Sequence, residues 1–443
     1  MIQFMRRGRR VLALLLLLKC IDPLHAQDAA PLKLNLESLY QLAETNNREL
    51  KLADYNQQLA DEAVVSEKKK ALPSLDVSVS ASFLGDGWIA DRNFSNGMRA
   101  PIPHFGNNFA IEASQVIYAG GAVDASVQNA KLGQQLARLE KDNNRQGVRF
   151  LLTGYYLELA KLHNQKQVLQ NSINQTQKLL EQINSKYKQG LALRNNITRY
   201  ELQLKSLELN LVKLNNSIAI INSELATALK LPQGTIIEVE DLQYIEQNEL
   251  ADLAQWQDLA AANSPVLKQL DLQVEQSKNR EKLAKAEKLP QVIAFAGDKL
   301  DGPVVIEVPP LDKNFNYWYA GVGVKYNIAS LYKADSKINM AHLSTQQVQE
   351  NNELVKDNLF QEINASYIRY LETFDVYDTH LKNQQLASEN YTVTRNRYLD
   401  DLVLITEMLD AENSKIDAEL QAANARINIL FNYYKLKKLT GTL

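Results

Sequence analysis

Apolar residues follow a heptad pattern at 169–228 and at 416–434, and these segments lie within two longer stretches, residues 104–231 and 311–443, that contain no proline. Because an interior proline removes a helix hydrogen bond and clashes with the preceding turn, these two stretches can hold long helices. The apolar positions alternate in steps of three and four, which is the spacing of a coiled-coil seam. The predicted seam comprises Leu169, Ile173, Thr176, Leu180, Ile183, Tyr187, Ile197, Leu204, Leu207, Leu211, Leu214, Ile218, Ile221, Leu225 and Ala228, followed in the second stretch by Ile416, Leu420, Ala423, Ile427, Leu430 and Tyr434. The pattern predicts two helical hairpins with tips near Gly190 and Asp401.

Four shorter segments alternate apolar and polar residues with the period of two that is typical of β-strands. They are predicted at about 75–84, 108–118, 291–297 and 317–328. Their length suits a tilted strand that crosses a membrane, and one apolar face opposite a small or polar face is the pattern of an outer-membrane barrel. The residues predicted to face lipid are Val77, Val79, Phe83, Phe109, Ile111, Trp318, Val322 and Val324.

Four strands are too few to close a membrane barrel, which needs about eight. Open sheet edges in lipid would leave backbone polar groups without hydrogen-bond partners. A membrane sheet of four strands therefore requires several copies of the chain around one barrel; three copies give 12 strands and four give 16. The alternative is two ordinary soluble hairpins that pack on the helices.

The sequence contains a tandem duplication. Leu42 and Pro73 of the first half correspond to Leu259 and Pro290 of the second half, at a constant offset of 217 positions. After a loop that is longer in the first copy, Asp124, Tyr187 and Glu201 correspond to Asp335, Tyr398 and Glu412 at an offset of 211. Ordered matches of this kind indicate an internal repeat.

The repeat sets the predicted domain boundaries. The first copy comprises residues 27–232, a linker follows at 233–252, and the second copy comprises 253–443. Each copy is predicted to contain one helix, at Leu36–Leu72 or Leu253–Leu289, followed by strand, loop, strand and long helical hairpin. The predicted fold class is mainly α with a small membrane β part, made of tandem long helical hairpins and of four strands per chain that contribute to a barrel shared between copies.

The N-terminus is typical of a secretory signal peptide at residues 1–26. A cluster of arginines precedes the apolar run from Val11 to Leu18, and Ala26 offers a cleavage point. Cleavage would remove five cations and one anion from a chain of net charge −3, which leaves −7. Cys20 would leave as well; Lys19 before it argues against a lipoprotein signal. A mature chain without cysteine suits an oxidising compartment.

Charge and motif content narrow the function classes. The net negative charge argues against a nucleic-acid-binding protein, and we expect no nucleic-acid partner. The five histidines are scattered without metal-ligand spacing, and the sequence contains no nucleophile elbow or P-loop. We therefore predict a protein that is not an enzyme, with no catalytic residues, no metal site and no cofactor.

The order of signal peptide, helix, strand pair and helical hairpin, repeated once, resembles the TolC-like outer-membrane efflux protein family. Short motifs carry the resemblance. They are Leu72-Pro73-Ser74-Leu75 at the first strand, Gln115-Val116-Ile117-Tyr118-Ala119-Gly120-Gly121 after the second, Tyr187-Lys188-Gln189-Gly190-Leu191 at the first tip, Arg397-Tyr398 and Met408-Leu409-Asp410-Ala411-Glu412 around the second tip, and Leu439-Thr440-Gly441-Thr442-Leu443 at the end. The resemblance covers nearly the whole mature chain.

The resemblance implies a homotrimer in outer-membrane lipid, in which four strands per chain form a shared 12-stranded trimeric β-barrel. It implies that the tandem helical hairpins form an α-barrel tunnel, which is the long periplasmic portion. It also implies passive export from the periplasm, driven by an inner-membrane transporter through a periplasmic adaptor protein, in efflux or type I secretion. It places the channel constriction at Glu407, Asp410 and Tyr398, and the adaptor-contacting tips at Gly190, Leu191, Asp401 and Leu402. Two departures stand out, since the family has glycine at Asp401 and a gate-tethering arginine at Val403.

An alternative reading is a soluble periplasmic coiled-coil structural or adaptor protein. Adaptors also have a long helical hairpin, but they usually add compact glycine-rich β domains, which this sequence lacks. The sequence does not identify the cargo, so drugs, metabolites, metal ions and proteins all remain open.

Overall fold

The computed structural model describes residues 31–240, 242, 251–307 and 309–443. Most of the described residues lie in long helices, and each copy of the repeat contributes two strands, placed between its helices, to one small sheet. In chain order the elements are β1 (Leu32–Leu34), α1 (Leu36–Asn46), α2 (Arg48–Lys69), β2 (Ser74–Phe83), β3 (Gly87–Ile89), β4 (Met98–Ala100), β5 (Phe105–Ala119), α3 (Ala122–Lys188), α4 (Arg194–Ala228), β6 (Ile237–Val239), α5 (Leu253–Asn263), α6 (Pro265–Ala286), β7 (Gln291–Gly302), β8 (Phe315–Lys325), α7 (Ser330–Leu399) and α8 (Ile405–Thr440). The predicted signal peptide and most of residues 241–250 lie outside the described residues.

The contacts divide the chain into two compact units. Among the described residues, one unit comprises 31–47, 152–240 and 376–428, and the other comprises 48–151, 251–375 and 429–443, with the helices α3, α7 and α8 contributing to both. Each unit draws on both copies of the repeat. The repeat boundary in the sequence is therefore not a boundary between compact units.

The first unit is built on the predicted coiled-coil seam. One cluster of buried side chains joins α3, α4 and α8, and its members are Leu162, Leu169, Ile173, Leu207, Leu214 and Ile416, flanked by Leu204, Leu211, Ile218, Ile221 and Leu420. A second cluster lies nearer the tips and contains Leu179, Ile183, Ile197, Tyr200, Tyr391, Tyr398 and Met408. The structure confirms the heptad prediction at most positions, but Leu179 is buried more deeply than the predicted Leu180, and the predicted Tyr187 is 41% exposed.

The second unit contains a four-stranded antiparallel sheet in the order β2-β5-β7-β8. β2 pairs with β5 in the first copy, and β7 pairs with β8 in the second. β5 also pairs with β7, which joins the two copies, and the register of this pair shifts at a bulge between Val116 and Tyr118. The outer edges, on β2 and β8, have no strand partner among the described residues. The sheet is therefore open on both sides in a single chain.

The strands differ in length from the prediction. β5 and β7 are both longer than predicted. β7 continues through Lys299 and Asp301, where the alternation of apolar residues has ended. β8 ends at Lys325, three residues before the predicted end. There the side chain of Asn327 accepts a hydrogen bond from the amide of Ala329 at 3.2 Å, which turns the backbone toward α7.

The single helices predicted at Leu36–Leu72 and Leu253–Leu289 are wrong, because each is two helices. In both copies a helix of 11 residues is followed, after one extended residue, by a helix of 22. Asn47 is that residue in the first copy, and its side chain donates to the carbonyl of Ala228 at 3.0 Å. In the second copy Ser264 precedes Pro265, and a residue before proline is disfavoured in the helical conformation.

The two short helices α1 and α5 begin with the same capping arrangement. Asn35 accepts from the amide of Ser38 at 2.9 Å, and Asp252 accepts from the amide of Gln255 at 2.7 Å. In both cases the side chain of the third helical residue accepts a hydrogen bond from the backbone amide of the cap residue. Cap and break recur at the offset of 217 positions, so the duplication extends to the details of the backbone.

The sequence prediction missed two small strand pairs. β1 pairs in parallel with β6, which lies in the segment predicted as a linker, and the hydroxyl of Tyr156 donates to the carbonyl of Leu34 at 2.8 Å beside this pair. β3 and β4 form a hairpin within the loop between β2 and β5. Within the described ranges, none of the helices has an apolar stretch long enough to span a membrane.

Replacement of Leu214 by aspartate tests the seam. Leu214 is buried within the cluster of the first unit, so Leu214→Asp would remove packing and bury an unpaired charge, at a cost of about 3–5 kcal/mol. We expect a large fall in the melting temperature measured by circular dichroism. Lys213→Asp, at an exposed position one residue earlier, should leave the melting temperature nearly unchanged. Equal melting of both variants would show that the seam has a different register.

Candidate functional site

The tips of the two helical hairpins have the same backbone structure. At the first tip the amide of Leu191 donates to the carbonyl of Lys186 at 2.9 Å, and at the second tip the amide of Leu402 donates to the carbonyl of Arg397 at 2.8 Å. Bonds of this span close a Schellman motif, which requires a residue with positive φ next to the helix end. Gly190 and Asp401 occupy that position, with φ of 77° and 62°.

Asp401 adopts the left-handed conformation although it has a Cβ atom, which costs a non-glycine residue about 1 kcal/mol. Its carboxylate is bound by the ammonium group of Lys186 at 2.8 Å, and the same ammonium group donates to the carbonyl of Leu399. Lys186 belongs to the first hairpin and Asp401 to the second, so this ion pair joins the two tips. The sequence shows aspartate at position 401 where the resembled family has glycine, but no sequence pattern identifies Lys186 as its ion-pair partner.

The predicted constriction residues fall into two groups. Glu407 and Asp410 lie in the first two turns of α8, and both side chains are exposed. Residues three apart lie on the same side of a helix, so the two carboxylates are neighbours. Among the described residues, neither has a cation within ion-pair distance. Acids near a helix N-terminus also suit the helix dipole.

Tyr398 has a different environment. It is only 7% exposed and packs in the cluster near the tips with Tyr200 and Met408. Val403, which stands where the resembled family has its tethering arginine, packs against the same cluster. In this conformation Tyr398 therefore supports the second tip from inside. The four predicted contact residues at the tips, Gly190, Leu191, Asp401 and Leu402, are all exposed.

A buried carboxyl group lies behind the tips, and the sequence analysis did not assign it a role. Glu412 is 3% exposed, and its Oε1 accepts a hydrogen bond from the hydroxyl of Thr176 at 2.5 Å. The phenol of Tyr200 and the ring of Tyr391 face it from α4 and α7, and Lys415 lies on its own helix. Burial raises the pKa of Glu412 above the ordinary glutamate range, against the lowering effect of the hydrogen bonds and of Lys415.

The strand register tests the predicted face of the sheet. Val77 pairs with Ile111 and Val79 with Phe109, while Val322 and Val324 pair with alanine and valine of β7. Trp318 pairs with Asp298 of β7, and Asp298 pairs with Ile111 of β5, so Trp318 lies on the same face as Ile111. All eight residues predicted to face lipid therefore share one face, and each side chain is at least 38% exposed. Polar residues enter this face at Asn107, Asp298 and Asn316, toward the loop ends of their strands.

The opposite face of the sheet carries a polar cluster. The ammonium group of Lys299 lies 2.9 Å from the carboxylate of Glu112, and the hydroxyl of Tyr319 donates to the same carboxylate at 2.5 Å. Small residues cover much of the rest of this face, including Ser78, Ser80 and Gly321. The two faces thus differ in polarity, as the period of two predicts. In the part of the chain that the structure describes, no three histidine, cysteine or acidic side chains are grouped as metal ligands.

Replacement of Glu412 by glutamine tests the buried carboxyl group. A pKa raised by folding means that ionisation of Glu412 destabilises the folded state, so the contribution of this group to stability is largest at acid pH and is lost as the pH rises above the ordinary glutamate pKa. Glu412→Gln keeps an acceptor for Thr176 without the charge. We expect it to melt several degrees higher than wild type at pH 8, with a smaller difference at pH 5.

The repeat supplies a matched control, because Glu201 is the counterpart of Glu412 and is exposed. Glu201→Gln should melt as wild type does at both pH values. A Glu412→Gln variant that is less stable than wild type at pH 8 would show that the ionised carboxylate stabilises the bundle.

Comparison with known proteins gives a fold and no close relative. No protein-family model and no curated protein sequence matches the chain. Solved structures do match. The outer membrane protein VceC from Vibrio cholerae is 16% identical, with a TM-score of 0.77 over 92% of this chain and 96% of that chain.

Two further outer-membrane channels give similar agreement. CmeC from Campylobacter jejuni is 15% identical, with a TM-score of 0.74 over 92% of this chain and 85% of that chain. MtrE from Neisseria gonorrhoeae is 18% identical, with a TM-score of 0.68 over 92% of this chain and 88% of that chain. Agreement over nearly the whole length at such low identity is agreement of fold, and the chain has the fold of the TolC-like outer-membrane channels.

Proposed function

We propose that three copies of this chain form an outer-membrane exit duct. The duct would export cargo passively from the periplasm to the exterior, driven by an inner-membrane transporter through a periplasmic adaptor. The observation that carries the proposal is the four-stranded sheet, which has an apolar exposed face and two unpaired edges and is connected at one end to long helices. The shared fold with outer-membrane channels supports it.

The unpaired edges favour a shared barrel in lipid. A sheet with an apolar face can reside in a membrane only if every edge is paired, since lipid offers no hydrogen bonds to the backbone. Pairing β8 of one copy with β2 of the next would close the barrel, and three copies supply 12 strands. The face with Val79 and Val322 would then contact lipid, and the face with Glu112 and Lys299 would line the lumen.

The helical hairpins would form the periplasmic tunnel of this duct. Glu407 and Asp410 are our candidates for the narrow entrance, because both are exposed and adjacent at the second tip. Repeated in three copies, they would give two rings of carboxylates that concentrate cations. Tyr398 would hold the constriction in shape from inside the bundle. The exposed tip residues Gly190, Leu191, Asp401 and Leu402 would contact the adaptor.

The alternative reading, a soluble periplasmic coiled-coil protein, conflicts with the exposed apolar face. A soluble hairpin pair would cover Val77, Val79, Val322 and Val324 with its own helices, but each of these side chains is more than 60% exposed. Exposed apolar patches of this kind mark a membrane or protein contact. Fractionation separates the two readings, since a duct should remain with outer membranes as a heat-sensitive oligomer.

Substitution by arginine tests the faces of the proposed barrel. Val322→Arg or Val79→Arg would place a charge in lipid, at a cost of about 2–4 kcal/mol per copy. We expect a loss of assembled oligomer from outer-membrane fractions. Ser80→Arg is the matched control, since it changes the neighbouring position on the polar face of the same strand. Equal loss from all three variants would contradict the assignment of the faces.

Neutral substitution at the second tip tests the proposed entrance. Glu407→Gln with Asp410→Asn keeps the side-chain size and removes the six carboxylates of a trimer. We expect lower cation selectivity, modestly changed conductance and loss of block by multivalent cations in planar-bilayer recordings, with normal oligomer levels. Unchanged selectivity and unchanged block would place these residues outside the pore.

A further inference from the structure

The polar face of the sheet carries a continuous series of aromatic rings along its last two strands. Phe295 lies 6.1 Å from Tyr319, Tyr319 lies 6.3 Å from Tyr317, and Tyr317 stacks on Phe315 at 5.4 Å, all measured between ring centroids. We call these four residues the aromatic ladder. It runs from the middle of these two strands to the loop end of the sheet.

Two glycines let part of the ladder lie against the backbone. A Cβ atom on Gly297 would come within 2.7 Å of the ring of Tyr319, and one on Gly321 would come within 2.9 Å of the ring of Phe295. These two rings therefore cover glycines. Tyr317 and Phe315 sit opposite Lys299 and Asp301 instead, so they cover no glycine. Phe295, Tyr317 and Phe315 remain 38–55% exposed.

The charges beside the ladder favour a cation. The same face of the sheet holds the carboxylates of Asp76, Glu112 and Asp301 and the ammonium groups of Lys299 and Lys325, which gives a net charge of −1 per chain. The ammonium group of Lys299 already lies 5.5 Å from the centroid of the Tyr319 ring. Aromatic rings bind cations through their faces and stack on flat π systems. A flat aromatic cation satisfies both properties of this surface.

We propose that the aromatic ladder is a binding track for planar aromatic cations inside the barrel. The inference rests on the proposed function, in which the face with Glu112 lines the lumen. It adds a cargo class to that function, and it assigns specificity to Tyr317, Tyr319, Phe295 and Phe315. The competing explanation is that the rings only cover glycines, which would apply to Tyr319 and Phe295 but not to Tyr317 and Phe315.

Block of single channels by ethidium tests the track. The recordings use the full-length oligomer with Glu407→Gln and Asp410→Asn in every variant, so that no block arises at the tip. Phe315→Leu with Tyr317→Leu removes two rings that cover no glycine. We expect the residence time of ethidium to fall about fivefold or more, the effect of losing cation–π and stacking contacts.

Two controls separate the ladder from general effects. Trp318→Leu removes an aromatic ring from the opposite face, next to Tyr317, and should leave the residence time unchanged. Tetrabutylammonium, a cation without a ring, can make cation–π contacts but cannot stack, so its residence time should fall less than that of ethidium in the double leucine variant. Unchanged ethidium residence in the double leucine variant, an equal fall in Trp318→Leu, or an equal effect on tetrabutylammonium would each overturn the track.

The same recordings distinguish failure of the track from failure of the duct. Channels that conduct normally but retain ethidium equally with and without Tyr317 and Phe315 would overturn the track alone. Absence of any conducting channel from correctly folded wild-type oligomer would overturn the proposed function and the lumen site with it.

Discussion

Backbone hydrogen bonding at the two open edges of the sheet is the constraint on which the rest of the structure depends. β2 and β8 each present an unpaired edge, and the face between them is apolar and exposed. Water can satisfy such edges but disfavours the face, and lipid accepts the face but cannot satisfy the edges. Pairing with further copies of the chain, as we propose, would meet both demands. The open sheet of four strands is therefore the feature of the described residues on which the proposed assembly rests.

The sequence alone was sufficient for the periodic parts of the fold. The heptads identified the buried residues of the helical bundle, among them Leu207 and Leu214. The period of two identified which side of each strand is apolar, and the register places all eight predicted residues on one face. Both results follow from the fact that helix and strand geometry fix which residues share a side. Because this geometry is local to each helix or strand, tertiary contacts do not change which residues share a side.

The parts that sequence reasoning missed depend on single contacts. At the helix break in the first copy, the side chain of Asn47 bonds to a residue 181 positions away, and no local pattern predicts that contact. In the second copy Pro265 was a visible signal, but proline is also tolerated in the first turn of a helix, where it now lies. The strand pairs β1–β6 and β3–β4 contain three residues each, too few to show a period. Burial of Glu412 depends on three other helices. One signal could have found it, since Glu412 lies one turn before Ile416 of the seam.

The duplication explains how one backbone plan supports two chemically different hairpins. Capping, helix break and tip geometry recur in both copies, because the backbone needs them wherever the same elements are joined. The side chains that can differ without changing the backbone have diverged. Gly190, Tyr187 and Glu201 of the first copy are exposed, whereas Tyr398 and Glu412, the counterparts of the last two, are buried.

This divergence places several buried polar groups together behind the second tip. Thr176, Tyr200, Tyr391 and Glu412 meet there, and Asp401 accepts a left-handed conformation beside its ion pair with Lys186. A buried carboxyl and a strained turn both lower stability locally, and proteins keep such features where the surrounding structure over-determines them. The first hairpin carries neither feature. The physical asymmetry between the copies therefore lies in their side chains and not in their backbone, because the second hairpin supplies the buried carboxyl and the strained turn while the first supplies their partners Thr176 and Lys186.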